Sequence, residues 1–304
     1  MKRRSFVKQL GGATAFLGLG AIGLQSCGSF NRKHITILHT NDVHSHIDPF
    51  PADHALYPGL GGLSRRAALI SQIRSENPNT LLLDAGDIFQ GTPYFNFYGG
   101  ELEFRLMSKL RYDAATIGNH DFDNGIDGLL AQMPHAGFQF LSANYDFSHT
   151  VMDGYVKPYT TFLLDGIRIG VFGLGIRLEG LVNKALFKET RYLDPMEMAL
   201  DTARRLREQE RCDLVICLSH LGYTYPEGDN RPGDLSLAAA TEYIDLIIGG
   251  HTHTFLDQPE VKHNRKGQQV LVNQVGCYGL NLGRIDFFFD DRKNVASRGL
   301  TIRV

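Results

Sequence analysis

From His34 onward, apolar residues come in short dense runs, separated by stretches where they recur every three or four positions. HITILHT, NTLLLDA, DAATIG, FQFLSAN, IRIGVFGLG, DLVICLSH and IDLIIGG read as strands. Several are apolar throughout, the pattern of a strand buried on both faces. Between them, Gly62 to Arg74, Glu101 to Leu110, Gly125 to Met133 and Pro195 to Glu210 carry helical spacing. Asp194 has the chemistry of an N-cap for the last of these, and Pro195 suits its first helical position. Such alternation predicts an α/β fold with helices covering sheet. After residue 268 the rhythm changes, and QQVLVNQVG and NLGRIDFFFD predict consecutive strands paired antiparallel. No internal repeat, low-complexity tract or domain linker interrupts the pattern.

The first 26 residues stand outside this rhythm. MKRRSFVK carries four positive charges and is followed by the apolar, glycine-rich QLGGATAFLGLGAIGLQSC, the layout of an export signal. Arg3-Arg4 followed by Ser5, Phe6 and Lys8 resembles a twin-arginine signal. Leu24 to Cys27 resembles a lipoprotein cleavage box with Cys27 as the lipidated residue, although Gln25 departs from that pattern. The expected organisation is a signal over 1–26, a short linker over 27–33 and a catalytic domain over 34–304. The protein is expected to be exported to the periplasm or cell envelope and lipid-anchored there, touching membrane only through its lipid or signal.

Composition agrees with a globular chain: 304 residues, 43% hydrophobic and 21% charged. Losing the signal removes four positive and no negative charges, taking the formal charge from -2 to -6. An acidic chain without a basic stretch is not expected to bind nucleic acid. Cys212, Cys217 and Cys277 form no C-x-x-C pair and read as buried apolar residues. Cys212 and Cys217, five apart in a strand-like run, are expected to face opposite sides.

Candidate chemistry sits where the strands end. ITILHTNDVH leads to Asp42 and His44, TLLLDAGD to Asp87, ATIGNHDFD to Asn119 and His120, LVICLSH to His220, and IDLIIGGHTH to His251 and His253. Singly, each is ordinary: Asp42 suits a turn, and a lone strand-end histidine such as His220 is more often structural than a ligand. Recurrence five times changes the reading, because ligand sites gather outside the carboxyl ends of α/β strands. Glycines before Asp87, Asn119 and His251 let the backbone turn sharply there. The oxygen and nitrogen donors suffice for two divalent cations sharing a carboxylate and suit Mn, Zn, Fe, Co or Ni. Asp42-x-His44 and His251-x-His253 each put two side chains on one side of an extended segment.

DVH, GD, GNHDFD, SH and GHTH, in this order and at these spacings, resemble the calcineurin-like metallophosphoesterases, and within them the 5'-nucleotidase branch. The resemblance covers His34 to Val304. It implies a four-layer α/β/β/α sandwich of the metallophosphoesterase type. It implies one metal on Asp42, His44 and His253, another on Asn119, His220 and His251, and Asp87 bridging them. The pair, about 3.5–4 Å apart, would activate a water for in-line attack on a phosphate ester. His120 would stabilise the phosphate or leaving oxygen. Asp123 would orient His120, where a helix-capping role is the alternative. Asp121 is left outside the site. His39 and His46 are read as structural. His34, His54, His135, His149 and His263 are read as surface or packing residues. GTPYFNFYGG is read either as cleft lining or as packing against the following helix.

Relatives in that branch carry a further C-terminal domain that holds the nucleoside base, while this chain stops at Val304. The expected function is hydrolysis of phosphate esters, 5'-nucleotides first, with a separate chain as a possible source of the missing domain. The alternatives are a hydrolase of phosphodiesters, cyclic nucleotides or nucleotide sugars, and a metal-binding envelope lipoprotein without turnover.

Overall fold

A computed structural model describes residues 33–291 and 295–304. The export signal, most of the linker and Cys27 lie outside the described residues. In chain order the elements are β1 (Lys33–Thr40), α1 (Leu63–Glu76), β2 (Thr80–Asp84), α2 (Pro93–Tyr98), α3 (Glu101–Lys109), β3 (Ala114–Thr116), α4 (Gly125–Gln132), β4 (Gln139–Leu141), β5 (Tyr145–Asp146), β6 (Tyr159–Leu164) and β7 (Ile167–Leu174). There follow α5 (Lys184–Phe187), β8 (Arg191–Tyr192), α6 (Pro195–Glu208), β9 (Leu214–Ser219), α7 (Asp234–Ala240), β10 (Leu246–Gly249), β11 (Glu260–His263), β12 (Gln269–Asn273), β13 (Asn281–Phe289) and β14 (Val295–Arg303).

Two six-stranded sheets form, in the orders β14-β13-β1-β2-β3-β4 and β11-β12-β10-β9-β7-β6. In the first, β1 to β4 run parallel, with β4 at one edge and β13 and β14 added antiparallel at the other. In the second, four central strands run parallel and both edge strands are antiparallel. The apolar runs explain why the sheets stack. In β2, Leu81 and Leu83 enter the core between the sheets while Leu82 turns to the helices α1 and α3. In β9, Leu214, Ile216 and Leu218 enter that shared core, while Val215 and Cys217 face α6 and α7. A strand apolar at every position therefore fills two cores at once, giving four layers, helix–sheet–sheet–helix.

The four expected helices are present within two residues of their ends. Asp194 caps α6, its Oδ1 accepting from Met196 N at 2.8 Å and Glu197 N at 3.0 Å. Among the described residues no helix is long and apolar enough to cross a membrane.

Two expectations fail. QQVLVNQVG and NLGRIDFFFD do not pair: β12 runs parallel to β10 in one sheet, and β13 lies antiparallel to β1 in the other. The intervening turn, bearing Val275 to Leu280, crosses between sheets, which local pattern cannot reveal. Cys212 and Cys217 share one core rather than facing apart. Cys212 lies two residues before β9 begins, so the strand alternation that orients Cys217 does not extend to it. All three described cysteines are free and buried.

Candidate metal centre

The parallel strands of both sheets deliver their carboxyl ends to one edge of the sandwich. Asp42 and His44 follow β1, Asp87 follows β2, Asn119 and His120 follow β3, His220 follows β9, and His251 and His253 follow β10. Donor atoms of Asp42, His44 and His253 converge within 4.8 Å of one another, as do those of Asp87, His220 and His251. Asn119 Oδ1 lies 2.9 Å from His251 Nδ1. Asp87 stands between the groups, its Oδ2 3.0 Å from His220 Nε2 and 3.9 Å from His44 Nε2. Asp42 and His220 are wholly buried, and Asp87 and His44 nearly so.

These contacts fit cations better than they fit one another. The Nε2 atoms of His44 and His253 face each other at 3.0 Å, and His220 Nε2 is buried without a well-formed hydrogen bond. His220 Nδ1 donates to Ala85 O at 2.7 Å, which leaves Nε2 as the electron-pair donor. Burial disfavours a charged His220, but the Asp87 and Asp42 carboxylates override it and push its pKa up to about 10. Burial pulls His251 down to about 4, with His220 adding to the effect. His44 is also lowered, first by burial. Asp87 is held below the ordinary carboxylate value by His220 despite its own burial.

The backbone is bent to aim these donors. Asp42, His44, Asp87, His251 and His253 have φ of +49°, +50°, +54°, +74° and +52°. Such non-glycine conformations cost roughly 1–3 kcal/mol each and persist only when neighbours enforce them. The glycines serve two purposes. Gly86, at φ +87°, supplies a turn. Gly118 and Gly250 do not turn that way and are small instead. A Cβ on Gly118 would collide with Asp87, and one on Gly250 would come within 2.8 Å of His220 Nδ1.

Residues outside the motif reading hold this geometry. Asp121 accepts backbone N–H bonds from Asp87, Ile88, Phe89 and Gly118 at 2.8 to 3.1 Å. Asn41 donates to Asp42 Oδ2 at 2.7 Å and to Gly276 O at 2.6 Å. Glu103 on α3 accepts from the Ser45 hydroxyl. Asp121 lies within GNHDFD, but its targets in the Asp87 loop are about 32 to 34 residues away along the chain. Asp121→Ala is expected to strand those N–H groups, lower Tm and weaken metal binding about 10- to 100-fold. An unchanged metal titration would contradict that role.

His120 opens a one-turn 3₁₀ helix, and its backbone N donates to Asp87 Oδ1 at 2.8 Å. Its Nδ1 is 2.8 Å from Asp123 Oδ2, and that hydrogen bond raises the His120 pKa above its ordinary value despite burial. Asp123 thus contacts His120 and makes no side-chain cap to α4. His44, His120 and His253 open into one cleft of about 480 Å³. His46 and His54 line it as well. In GTPYFNFYGG only Gly91 borders this cleft. Phe95 packs instead into the helix-side core, its ring 5.3 Å from Phe89.

Doubled sheets carry a buried oxygen–nitrogen donor set at their carboxyl edge, an arrangement suited to holding divalent metals. Residues 35–255 match the calcineurin-like phosphoesterase family, and the chain belongs to it. A snake venom 5'-nucleotidase of Crotalus adamanteus is 34% identical over 291 residues, covering 89% of this chain and 47% of that protein. The crystal structure of a 5'-nucleotidase precursor from Thermus thermophilus superposes with a TM-score of 0.80 at 33% identity, covering 90% of this chain and 55% of that one. The calcineurin-like phosphoesterase YfkN from Bacillus subtilis superposes at 0.71 with 26% identity, covering 90% of this chain and 91% of that structure. The chain therefore spans about half the length of the 5'-nucleotidases it matches.

Proposed function

We propose that this chain is a dinuclear-metal phosphohydrolase acting on phosphate esters, 5'-nucleotides in particular. The observation that carries the reading is a pair of donor groups joined through Asp87, with His44 and His253 of the first opening into one cleft beside the Asp123-bound His120. Asp42, His44 and His253 would hold one cation, and Asn119, His220 and His251 the other, with Asp87 shared between them. Two divalent cations bound there supply a Lewis-acid clamp for phosphoryl oxygens and a nucleophilic water. His120 is tied to Asp123 through Nδ1, which leaves Nε2 to donate to a phosphate or leaving-group oxygen. Burial of Asp42, His44, Asp87, Asn119 and His220 keeps bulk water from competing at those donors. The 5'-nucleotide preference rests on the activity for which the relatives are named. The layout of residues 1–26, with Cys27 as acceptor, supports export and lipid anchoring at the cell envelope.

The test is phosphate release from AMP by the purified chain with Mn²⁺, beside a generic aryl phosphodiester, with His120→Ala as blank. Turnover of AMP above the blank is expected. Turnover of the diester alone would replace the nucleotidase reading by a phosphodiesterase one. Metal binding without any turnover would leave a metal-binding lipoprotein.

A further inference from the structure

A run of aromatic rings rises from the metal centre to the lip of the cleft. Tyr278 lies 5.9 Å from His44 and 5.8 Å from His253, ring centre to ring centre. His46 lies 4.4 Å from Tyr278 and stacks at 5.1 Å on Phe50. Phe50 meets His54 at 4.6 Å and Tyr57 at 5.3 Å, and Leu56 stands 73% exposed beside them. All these residues border the cleft that His44, His120 and His253 share.

Ring packing of this kind ordinarily closes a core. Phe89 and Phe104 show that case, stacked at 4.8 Å and wholly buried. The cleft rings make contacts of similar length yet remain half-buried, and they border the cleft that His44, His120 and His253 also line. An aromatic wall beside charged groups favours a planar, unsaturated ligand that can stack while its polar edge reaches water. Gln90, exposed at the border of the same cleft, offers both a donor and an acceptor to such an edge. The cleft of about 480 Å³ falls within the range of roughly 300–1,000 Å³ usual for small-molecule sites.

We infer that the wall formed by Tyr278, Phe50 and Tyr57 holds the base of a nucleotide whose phosphate sits at the metal centre. The inference rests on the phosphohydrolase reading of that centre and adds the residues that select the leaving group. It places base recognition within this chain. Phe50 and Tyr57 lie in the loop between β1 and α1, further along it than the donors Asp42 and His44, and their ring contacts are with His46, His54, Tyr278 and each other, which suits contact with the base over the phosphate.

Calorimetry with adenosine and with ribose, on the full chain loaded with Mn²⁺, tests binding without any turnover. Adenosine should bind and ribose should not. Tyr57→Ala and Phe50→Leu, the second keeping apolar bulk while removing the ring, should each weaken adenosine at least about tenfold. In parallel, kcat/KM for AMP should fall by a similar factor in both variants, while that for ribose 5-phosphate stays unchanged. Adenosine binding no tighter than ribose, or equal losses on both phosphate esters, would overturn the inference while leaving the phosphohydrolase reading intact. Adenosine binding without hydrolysis of any ester would do the reverse. It would support the aromatic site and remove the proposed reaction.

Discussion

Asp87→Asn is expected to empty both donor groups together. Asp87 approaches both groups, 3.0 Å from His220 Nε2 and 3.9 Å from His44 Nε2, whereas Asp42 comes only within 4.0 Å of His220 Nε2. Asparagine keeps the shape and retains an oxygen for the His120 backbone N–H, now 2.8 Å from Oδ1. The loop should therefore remain folded. What changes is charge: one negative unit disappears from a nearly dry site, and an amide N–H₂ comes to face imidazole nitrogens. Metal affinity should fall by more than about 100-fold for both equivalents, beyond what loss of an outer-shell partner costs. Hydrolysis should fall with it. Counting bound metal against protein by elemental analysis, across a titration, gives the answer. Loss of a single equivalent would assign Asp87 to one cation and end its bridging role.

Much of this arrangement was legible because it is local. Strand runs apolar at every position demand two buried faces, and the four-layer sandwich satisfies that demand in β2 and β9. The donors sit one to four residues beyond the parallel strands, so reading strand ends also located Asp42, His44, Asp87, Asn119, His220, His251 and His253. The features that escaped are long-range or steric. Asp121 reaches backwards across more than thirty residues to the Asp87 loop, and Asn41 reaches forward to Gly276. Gly118 and Gly250 look like turn glycines in sequence, yet their function is to leave room for Asp87 and His220. The β6–β7 hairpin carried a readable signal in Asp165-Gly166, whose φ values of +48° and +74° suit a tight two-residue turn. Tyr278, Phe50 and Tyr57 come from segments more than 200 residues apart, and no single window of sequence contains their wall.

His120→Ala separates binding from chemistry. His120 belongs to neither converging group, and its backbone N–H contact to Asp87 survives the substitution. Metal content should accordingly stay at its parental value. The imidazole that is lost is held by Asp123 at 2.8 Å and shares the cleft with His44 and His253, where a phosphate or leaving oxygen would lie. Removing a positioned proton donor of this kind lowers kcat by about 10²–10⁴-fold, while KM moves far less. Asp123→Asn should give a smaller loss in the same direction, because the ring remains but its orientation and charge support weaken. The decisive comparison is kcat and metal stoichiometry in one preparation of each variant. Parental kcat in His120→Ala would remove the residue from the reaction. A loss of metal in parallel with kcat would make it a support for the donor groups instead of a group that meets the substrate.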